Sequence, residues 1–325
     1  MSDFSKITTQ ALASARAIAV KYRPHLTRTT FVMGGNFHID IVGGSDGIME
    51  SAIELLANLE LKWSRFLEDS EISRLNWAQG EAVKVSDCTL LLVEKLVEGW
   101  HATGGVFDPT TLPRTLANGY AKSHSNQSRV TTLPSTALWP GDIERIVINH
   151  EKSLVKLPMG TTLDPGGLGK GLAADLVVEY IMNNGALGAM VNANGDVRVT
   201  GESPDGKAWR IGIEHPMNSK QEITQVQIVD GAIVTSSRVH KVWTSESGVT
   251  HHLINPKSGL SADTKVLTAT VISATAAQGE VLAKLPFFLP MEDAFRQIVK
   301  VGAQVCAIDE DMMMHTSSDW KTYEC

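Results

Sequence analysis

The stretch LDPGGLGKGLAAD, residues 163–175, contains the pattern that decides the fold. It consists of an extended segment, a turn dense in glycine and the start of a helix. Glycines let backbone N–H groups approach an anion closely, a helix N-terminus adds a partial positive charge, and Lys170 adds a full one. The stretch therefore predicts a strand-to-helix connection that binds a phosphate group.

Three interpretations of this turn differ in the ligand that they imply. A P-loop requires Ser or Thr after the lysine, but Gly171 stands there, so a P-loop NTPase is disfavoured. GKGLAA, residues 169–174, fits the G-x-G-x-x-A pattern of dinucleotide-binding folds. Against that fold, Asp164-Pro165 intervenes and the following strands form an antiparallel series. A tight connection without a ligand stays open on this stretch alone.

Composition and charge narrow the class of protein. The net charge of −7 argues against a nucleic-acid binder, which needs a basic surface. The three cysteines are widely spaced and lack CxxC spacing, which predicts reduced thiols in a cytoplasmic protein. No apolar run approaches the length of a membrane span, so no membrane insertion is expected. Residues 11–20 are predicted to form an amphipathic helix within an N-terminal extension, residues 1–29.

The rest of the chain mixes helices with short strands that do not alternate strictly. This mixture predicts an α+β fold with mainly antiparallel strands and packed helices, and no linker divides residues 30–325. Residues 114–142 are polar and predict a long surface loop that is mobile unless something binds it. Strands are expected at 31–42, 145–150, 153–157, 190–254 in several pieces, 266–274, 303–308 and 312–318; helices are expected at 46–59, 87–103, 171–183, 276–285 and 291–299.

Other polar clusters are candidates for chemistry. The tandem histidines of THHLINPKSG, residues 250–259, could supply a base or a ligand, although an ordinary hydrogen-bonded histidine is the commoner outcome. The turn TSS, residues 235–237, could hold phosphate oxygens or be a plain turn. Glu280 and Lys284 are four residues apart, so they form either a surface ion pair or a pair that reaches a cation and a phosphate.

Several motifs resemble, in their order, those of the ApbE family of FAD:protein FMN transferases. They are MGGNFHI (33–39), WSRFLEDSEISRLN (63–76), GGVFDPTTLP (104–113), the glycine turn, VNANGDVRVTG (191–201), AWRIGIEHP (208–216), IVTSS (233–237), HHLINPKSG (251–259) and EVLAK (280–284). The resemblance covers roughly residues 30–290. It implies one domain of the tunnelling-fold (T-fold) type that binds FAD. It also implies a Mg²⁺-assisted transfer of FMN onto a threonine of a partner flavoprotein, with release of AMP.

The resemblance also assigns roles to residues. Those implied to contact FAD are Met33, Phe66, Val106, Phe107, Asp108, Asp164, Lys170, Ser236 and Leu253. The metal ligands would be the carbonyl oxygen of Gly167 and the side chain of Glu280. The implied catalytic residues are His252, Glu280 and Lys284.

Some residues depart from the family pattern. Glu280 and Lys284 stand where Asp and Thr are usual metal ligands, and an ammonium group cannot coordinate Mg²⁺. Asn255 replaces an Asp, and Asn194 replaces a glycine. Either Lys284 neutralises a pyrophosphate oxygen in place of the metal, or metal binding and transfer are weakened. Three functions therefore stay open: a cytoplasmic FMN transferase, an FAD-binding protein without transfer activity, and an FAD pyrophosphatase that releases FMN and AMP.

Overall fold

The computed structural model describes residues 24–123, 125–239, 242–245 and 248–325. The helix predicted at residues 11–20 lies outside this range. The strands are β1 (His25–Val32), β2 (Gly35–Gly43), β3 (Ala82–Lys84), β4 (Val147–Asn149), β5 (Leu154–Lys156), β6 (Ala186–Ala193), β7 (Asp196–Gly201), β8 (Trp209–His215), β9 (Asn218–Ile228), β10 (Gly231–Ser237), β11 (Val242–Ser245), β12 (Gly248–His251), β13 (Val266–Ser273), β14 (Gln304–Asp309) and β15 (Met314–Thr316). The helices are α1 (Ile48–Trp63), α2 (Glu71–Trp77), α3 (Asp87–Ala102), α4 (Leu112–Ala117), α5 (Gly169–Asn183), α6 (Ala276–Leu282), α7 (Leu285–Phe288) and α8 (Met291–Lys300).

One eight-stranded sheet runs through the molecule in the order β1-β2-β6-β7-β10-β13-β14-β15. Every neighbouring pair in it is antiparallel. The α+β class with mainly antiparallel strands is thereby confirmed, while the tunnelling-fold label stays a prediction. No helix among the described residues is long and apolar enough to cross a membrane.

Alternation along the strands gives the sheet two buried faces. On β10, Ala232 and Val234 join the core beneath the helices, while Ile233 between them points to the opposite face. Successive side chains of a strand point to opposite faces, so both faces of this central strand must be covered. Helices α1, α3, α5 and α6 cover one face; the β8–β9 hairpin and the buried Trp320 cover the other.

The first strand and the loop after α4 differ from the sequence-based expectation. β1 was not predicted as a separate strand, and it pairs with β2 along its full length around a turn in which Met33 and Gly34 have positive φ. The predicted boundary at residue 29 therefore falls inside β1. The segment 114–142 begins within α4 and is held to the body, since Arg65 donates hydrogen bonds to Thr131 and to the carbonyl oxygen of Tyr120.

Candidate functional site

A cleft of about 1040 Å³ opens beside the glycine turn, and its lining extends to the β8–β9 hairpin. Its volume lies just above the range of roughly 300–1,000 Å³ that is typical of small-molecule sites. Residues from the β1–β2 turn, the end of α1, the α3–α4 loop, the glycine turn, β10 and α6 line it. Every residue to which the sequence assigned a role lies on this cleft: Met33, Phe66, Val106, Phe107, Asp108, Asp164, Gly167, Lys170, Ser236, His252, Leu253, Glu280 and Lys284.

The glycine turn is a short 3-10 turn, Pro165–Gly167, and α5 begins at Gly169 after the single residue Leu168. Asp164 caps it, since one carboxylate oxygen accepts the Gly166 N–H at 2.9 Å. The backbone N–H of Asp164 donates to the Pro109 carbonyl oxygen at 2.8 Å, which joins the turn to the α3–α4 loop. These two hydrogen bonds fix the position of the turn relative to the α3–α4 loop.

The ammonium of Lys170 lies between two buried carboxylates. It is hydrogen-bonded to Asp196, and its Nζ lies 3.6 Å from Oε1 of Glu280. The other oxygen of Glu280 accepts the Gly171 N–H at 2.8 Å. Although burial opposes it, the charges of Asp196 and Glu280 raise the pKa of Lys170. Burial, reinforced by the charge of Asp196, raises the pKa of Glu280 to about 7.

The side chain of Lys284 crosses the end of α6 and reaches the glycine turn. Its Nζ donates to the carbonyl oxygens of Gly167 and Glu280, at 2.7 Å each. The Nζ also lies 5.8 Å from the centroid of the Phe107 ring, within range of a cation–π attraction. Burial lowers the pKa of Lys284, while the carboxylate of Glu280 opposes that change.

These contacts decide whether Mg²⁺ fits the residues implied to bind it. Mg²⁺ requires oxygen ligands at about 2.0–2.1 Å in octahedral geometry. The Gly167 carbonyl oxygen instead accepts a hydrogen bond from an ammonium, and the Glu280 carboxylate contacts Lys170 and the Gly171 N–H. Within the described part of the chain, no group of three or more His, Cys, Asp or Glu could hold a metal ion. The donor set therefore does not fit Mg²⁺.

The α3–α4 loop supplies an aromatic ring and a carboxylate to the cleft wall. Phe107 is buried, and its backbone N–H donates to the Thr103 hydroxyl at 3.0 Å. Asp108 accepts hydrogen bonds from the N–H and hydroxyl of Thr110, at 2.8 and 2.7 Å. Burial raises the pKa of Asp108, and these two hydrogen bonds oppose that rise.

One wall of the cleft consists of aromatic side chains around a buried arginine, Arg65. Of these residues, the sequence predicts a role only for Phe66. The guanidinium of Arg65 lies 4.1 Å from the centroid of the Phe66 ring and 4.8 Å from that of Tyr120. Tyr120 in turn contacts Trp243, with ring centroids 5.4 Å apart. Nε of Arg65 lies 3.5 Å from a carboxylate oxygen of Asp164, so the wall is tied to the glycine turn.

The two tandem histidines have different surroundings. The ring of His251 is hydrogen-bonded to the Ala262 carbonyl oxygen at 3.1 Å, and burial lowers its pKa. His252, the next residue, lies on the cleft together with Leu253. Only His252 of this pair is therefore placed to meet a ligand in the cleft.

The fold and the cleft define a class of protein. An α+β fold built around an eight-stranded antiparallel sheet supports a cleft that combines a glycine turn, two lysines and aromatic side chains. This combination suits a ligand with an anionic centre and flat rings. The chain belongs to the ApbE family, whose model matches residues 33–308.

Curated relatives and solved structures agree with this membership. The chain is 25% identical over 335 residues to the FAD:protein FMN transferase of Haemophilus influenzae, covering 98% of this chain and 96% of that protein. It is 26% identical over 290 residues to the enzyme of the same name from Vibrio cholerae, covering 84% of each chain. The ApbE protein of Thermotoga maritima superposes with a TM-score of 0.80 at 23% identity, covering 93% of this chain and 100% of the other. The flavin transferase ApbE of Vibrio cholerae gives 0.75 at 22% identity, covering 93% and 99%. These structures share the fold.

Proposed function

We propose that this chain transfers FMN from FAD to a threonine hydroxyl of an acceptor flavoprotein and releases AMP. Membership of the ApbE family and the names of the curated relatives support the reaction. The observation that carries it is the cleft, which brings all the predicted site residues together in a volume suited to a dinucleotide.

Two kinds of surface in the cleft are proposed to bind FAD: an aromatic one for its rings and a positively charged one for its pyrophosphate. The faces of Phe66 and Tyr120, backed by the Arg65 guanidinium, offer a stacking surface for a flat ring. Lys170 and the glycine turn offer positive charge for the pyrophosphate. Met33, Val106, Asp108, Ser236 and Leu253 complete the proposed contacts with FAD from other sides of the cleft.

The proposed step is a substitution at the FMN-side phosphorus. The threonine oxygen forms a bond to that phosphorus while the bond to the AMP oxygen breaks, and AMP leaves with the bonding electron pair. The hydroxyl proton passes to the imidazole of His252, which lies on the cleft. Lys170 and Lys284 stabilise charge on the pyrophosphate, and Glu280 holds Lys170 in place. The Mg²⁺ that the resemblance implies takes no part in this step, because the contacts of Gly167 and Glu280 do not fit it.

The acceptor is proposed to be a flavoprotein in the cytosol. The wide spacing of Cys88, Cys306 and Cys325 supports this proposal, because disulfide-stabilised proteins belong to oxidising compartments.

Mass spectrometry of an acceptor peptide tests the reaction. The full chain is incubated with FAD and a threonine-bearing peptide, and the same peptide with valine instead of threonine is the matched control. We expect an FMN adduct on the threonine peptide alone, with an equal amount of AMP. AMP without an adduct would indicate FAD hydrolysis. FAD binding without either product would indicate a binding protein and would overturn the proposal.

A further inference from the structure

The carbonyl oxygens of Gly167 and Glu280 already share a cation that belongs to the chain. Lys284 Nζ is 2.7 Å from each of them, and an ionised donor makes such hydrogen bonds shorter and stronger than neutral ones. The ring of Phe107 faces the same ammonium. Three elements, the glycine turn, α6 and the α3–α4 loop, therefore meet at one positive charge.

The glycine turn is shaped for this side chain. A Cβ added at Gly167 would lie 3.1 Å from Lys284 Cε and 3.1 Å from a ring carbon of Phe107. Any larger residue at position 167 would press on the stem of the lysine. The close packing of Gly167 against the lysine stem is a second observation, separate from the hydrogen bonds, that places Lys284 against the glycine turn.

The two lysines beside the glycine turn, Lys170 and Lys284, disfavour the binding of a divalent cation between them. Three carboxylates, Glu280, Asp196 and Asp164, act on the charge of Lys284. Lys170 already contacts the first two, and Arg65 contacts the third. A divalent ion added beside two ammonium groups would be repelled by both. Among the described residues Lys284 donates to two oxygens, so one of its three N–H groups is left for a ligand in the cleft.

We propose that the Lys284 ammonium is a built-in cation that replaces a divalent metal in this cleft, so that FAD binds through its pyrophosphate without Mg²⁺. The inference rests on the proposed function for the identity of the ligand, FAD. A lysine fixed in this way provides charge at one point, without the open coordination positions of a metal ion.

Calorimetric titration of the full chain with FAD, in excess EDTA and in Mg²⁺, tests this inference. For the wild type we expect the two Kd values to agree within about threefold, and titration with Mg²⁺ alone to give no binding heat. Lys284→Met keeps the apolar stem but removes the charge, so FAD affinity falls by about tenfold or more in both media. Lys284→Thr supplies an oxygen instead, so its loss of affinity in EDTA is restored by Mg²⁺. Lys300→Met, at the exposed end of α8, is the matched control and leaves both Kd values unchanged.

The outcomes separate this inference from the proposed function. FAD binding by the wild type that is at least about tenfold tighter in Mg²⁺ than in EDTA would overturn it, as would no binding in either medium. Unchanged FAD affinity in a folded Lys284→Met variant, checked by circular dichroism, would also overturn it. EDTA-insensitive FAD binding without FMN transfer would support the built-in cation and contradict the proposed function alone.

Discussion

At the residue scale, the ammonium of Lys170 contacts two carboxylates that are almost fully buried, Asp196 and Glu280. Lys170→Met leaves both without this counter-ion, and breaking a buried pair on one side costs about 3–5 kcal/mol of the free energy of unfolding. Urea unfolding above pH 7, where Glu280 is ionised, measures this loss. Lys207→Met is the control, since Lys207 pairs with Asp205 at the surface and its loss costs less than about 1 kcal/mol. Equal effects of the two substitutions would contradict the prediction.

The raised pKa of Glu280 makes the stability of the folded protein depend on pH. Burial raises its pKa from the ordinary 4.5 to about 7, so between these values the folded protein binds a proton that the unfolded chain releases. Stability from this group is therefore complete below pH 4.5 and is lost as pH rises toward 7. We expect the free energy of unfolding of the wild type, relative to Glu280→Gln, to fall by a few kcal/mol at most across this window. Urea unfolding at several pH values gives both curves, and parallel curves would exclude a titrating Glu280.

The sequence predicts which single residues lie on the cleft better than it predicts which side chains contact one another there. Lys170, Glu280 and Lys284 were recognised from local spacing, and all three lie on the cleft. The pairing of Lys170 with Asp196, and the position of Arg65 against Tyr120, were not predicted. Such contacts join residues far apart in the chain, and spacing in one sequence carries no information about them. The roles assigned to the cleft residues stay predictions.

At the scale of elements, the approach of α6 to α5 positions Glu280 and Lys284. Asp175 on α5 accepts the N–H groups of Ala276 and Ala277, at 2.8 and 2.9 Å, and so caps α6. A Cβ at Gly171 would lie 2.6 Å from the backbone of Ala276. The two helices are therefore in contact through backbone atoms.

Gly171→Ala tests this contact. The added methyl group must push α6 away, which costs about 1–3 kcal/mol and also weakens FAD binding, because Glu280 and Lys284 move with the helix. Gly169→Ala is the matched control: a Cβ there meets only Pro165 at 3.5 Å, so stability stays the same or rises by up to about 1 kcal/mol. Urea unfolding and FAD titration of both variants give the comparison. A Gly171→Ala variant as stable as Gly169→Ala would show that α6 is not held this closely.

Edge elements were harder to predict than central ones. The buried strand at 266–274 is a short apolar run rich in β-branched residues, and the helix at 87–103 has apolar residues at helical spacing; both predictions lie close to the observed bounds. β1 is exposed along most of its length, because it lies at the edge of the sheet, so its sequence lacks the alternation of a half-buried strand. The turn between β1 and β2 was missed because Met33, which has a positive φ there, is not a residue typical of turns.

At the scale of the whole molecule, the sheet order is set by long-range pairing. β2 lies between β1 and β6, and β10 lies between β7 and β13. The alternation of apolar residues identifies strands and their buried faces, but it does not say which strand pairs with which. The α+β class could therefore be predicted from the sequence, whereas the order of strands could not.

The cleft draws its lining from Met33 near the first strands to Phe288 near the last helices, so a ligand there touches most layers of the fold. FAD binds the folded chain and not the unfolded one, so it is expected to stabilise the fold. Because it touches most layers, we expect these layers to unfold together in one transition that shifts with FAD. At a free concentration of about 100 times Kd, FAD is expected to raise the free energy of unfolding by about 2.7 kcal/mol. Urea unfolding with and without FAD, in EDTA, measures the shift. AMP and riboflavin, at the same concentration, each fill part of the cleft and should give smaller shifts. Two transitions of which only one responds to FAD would show that the cleft does not join the layers in this way.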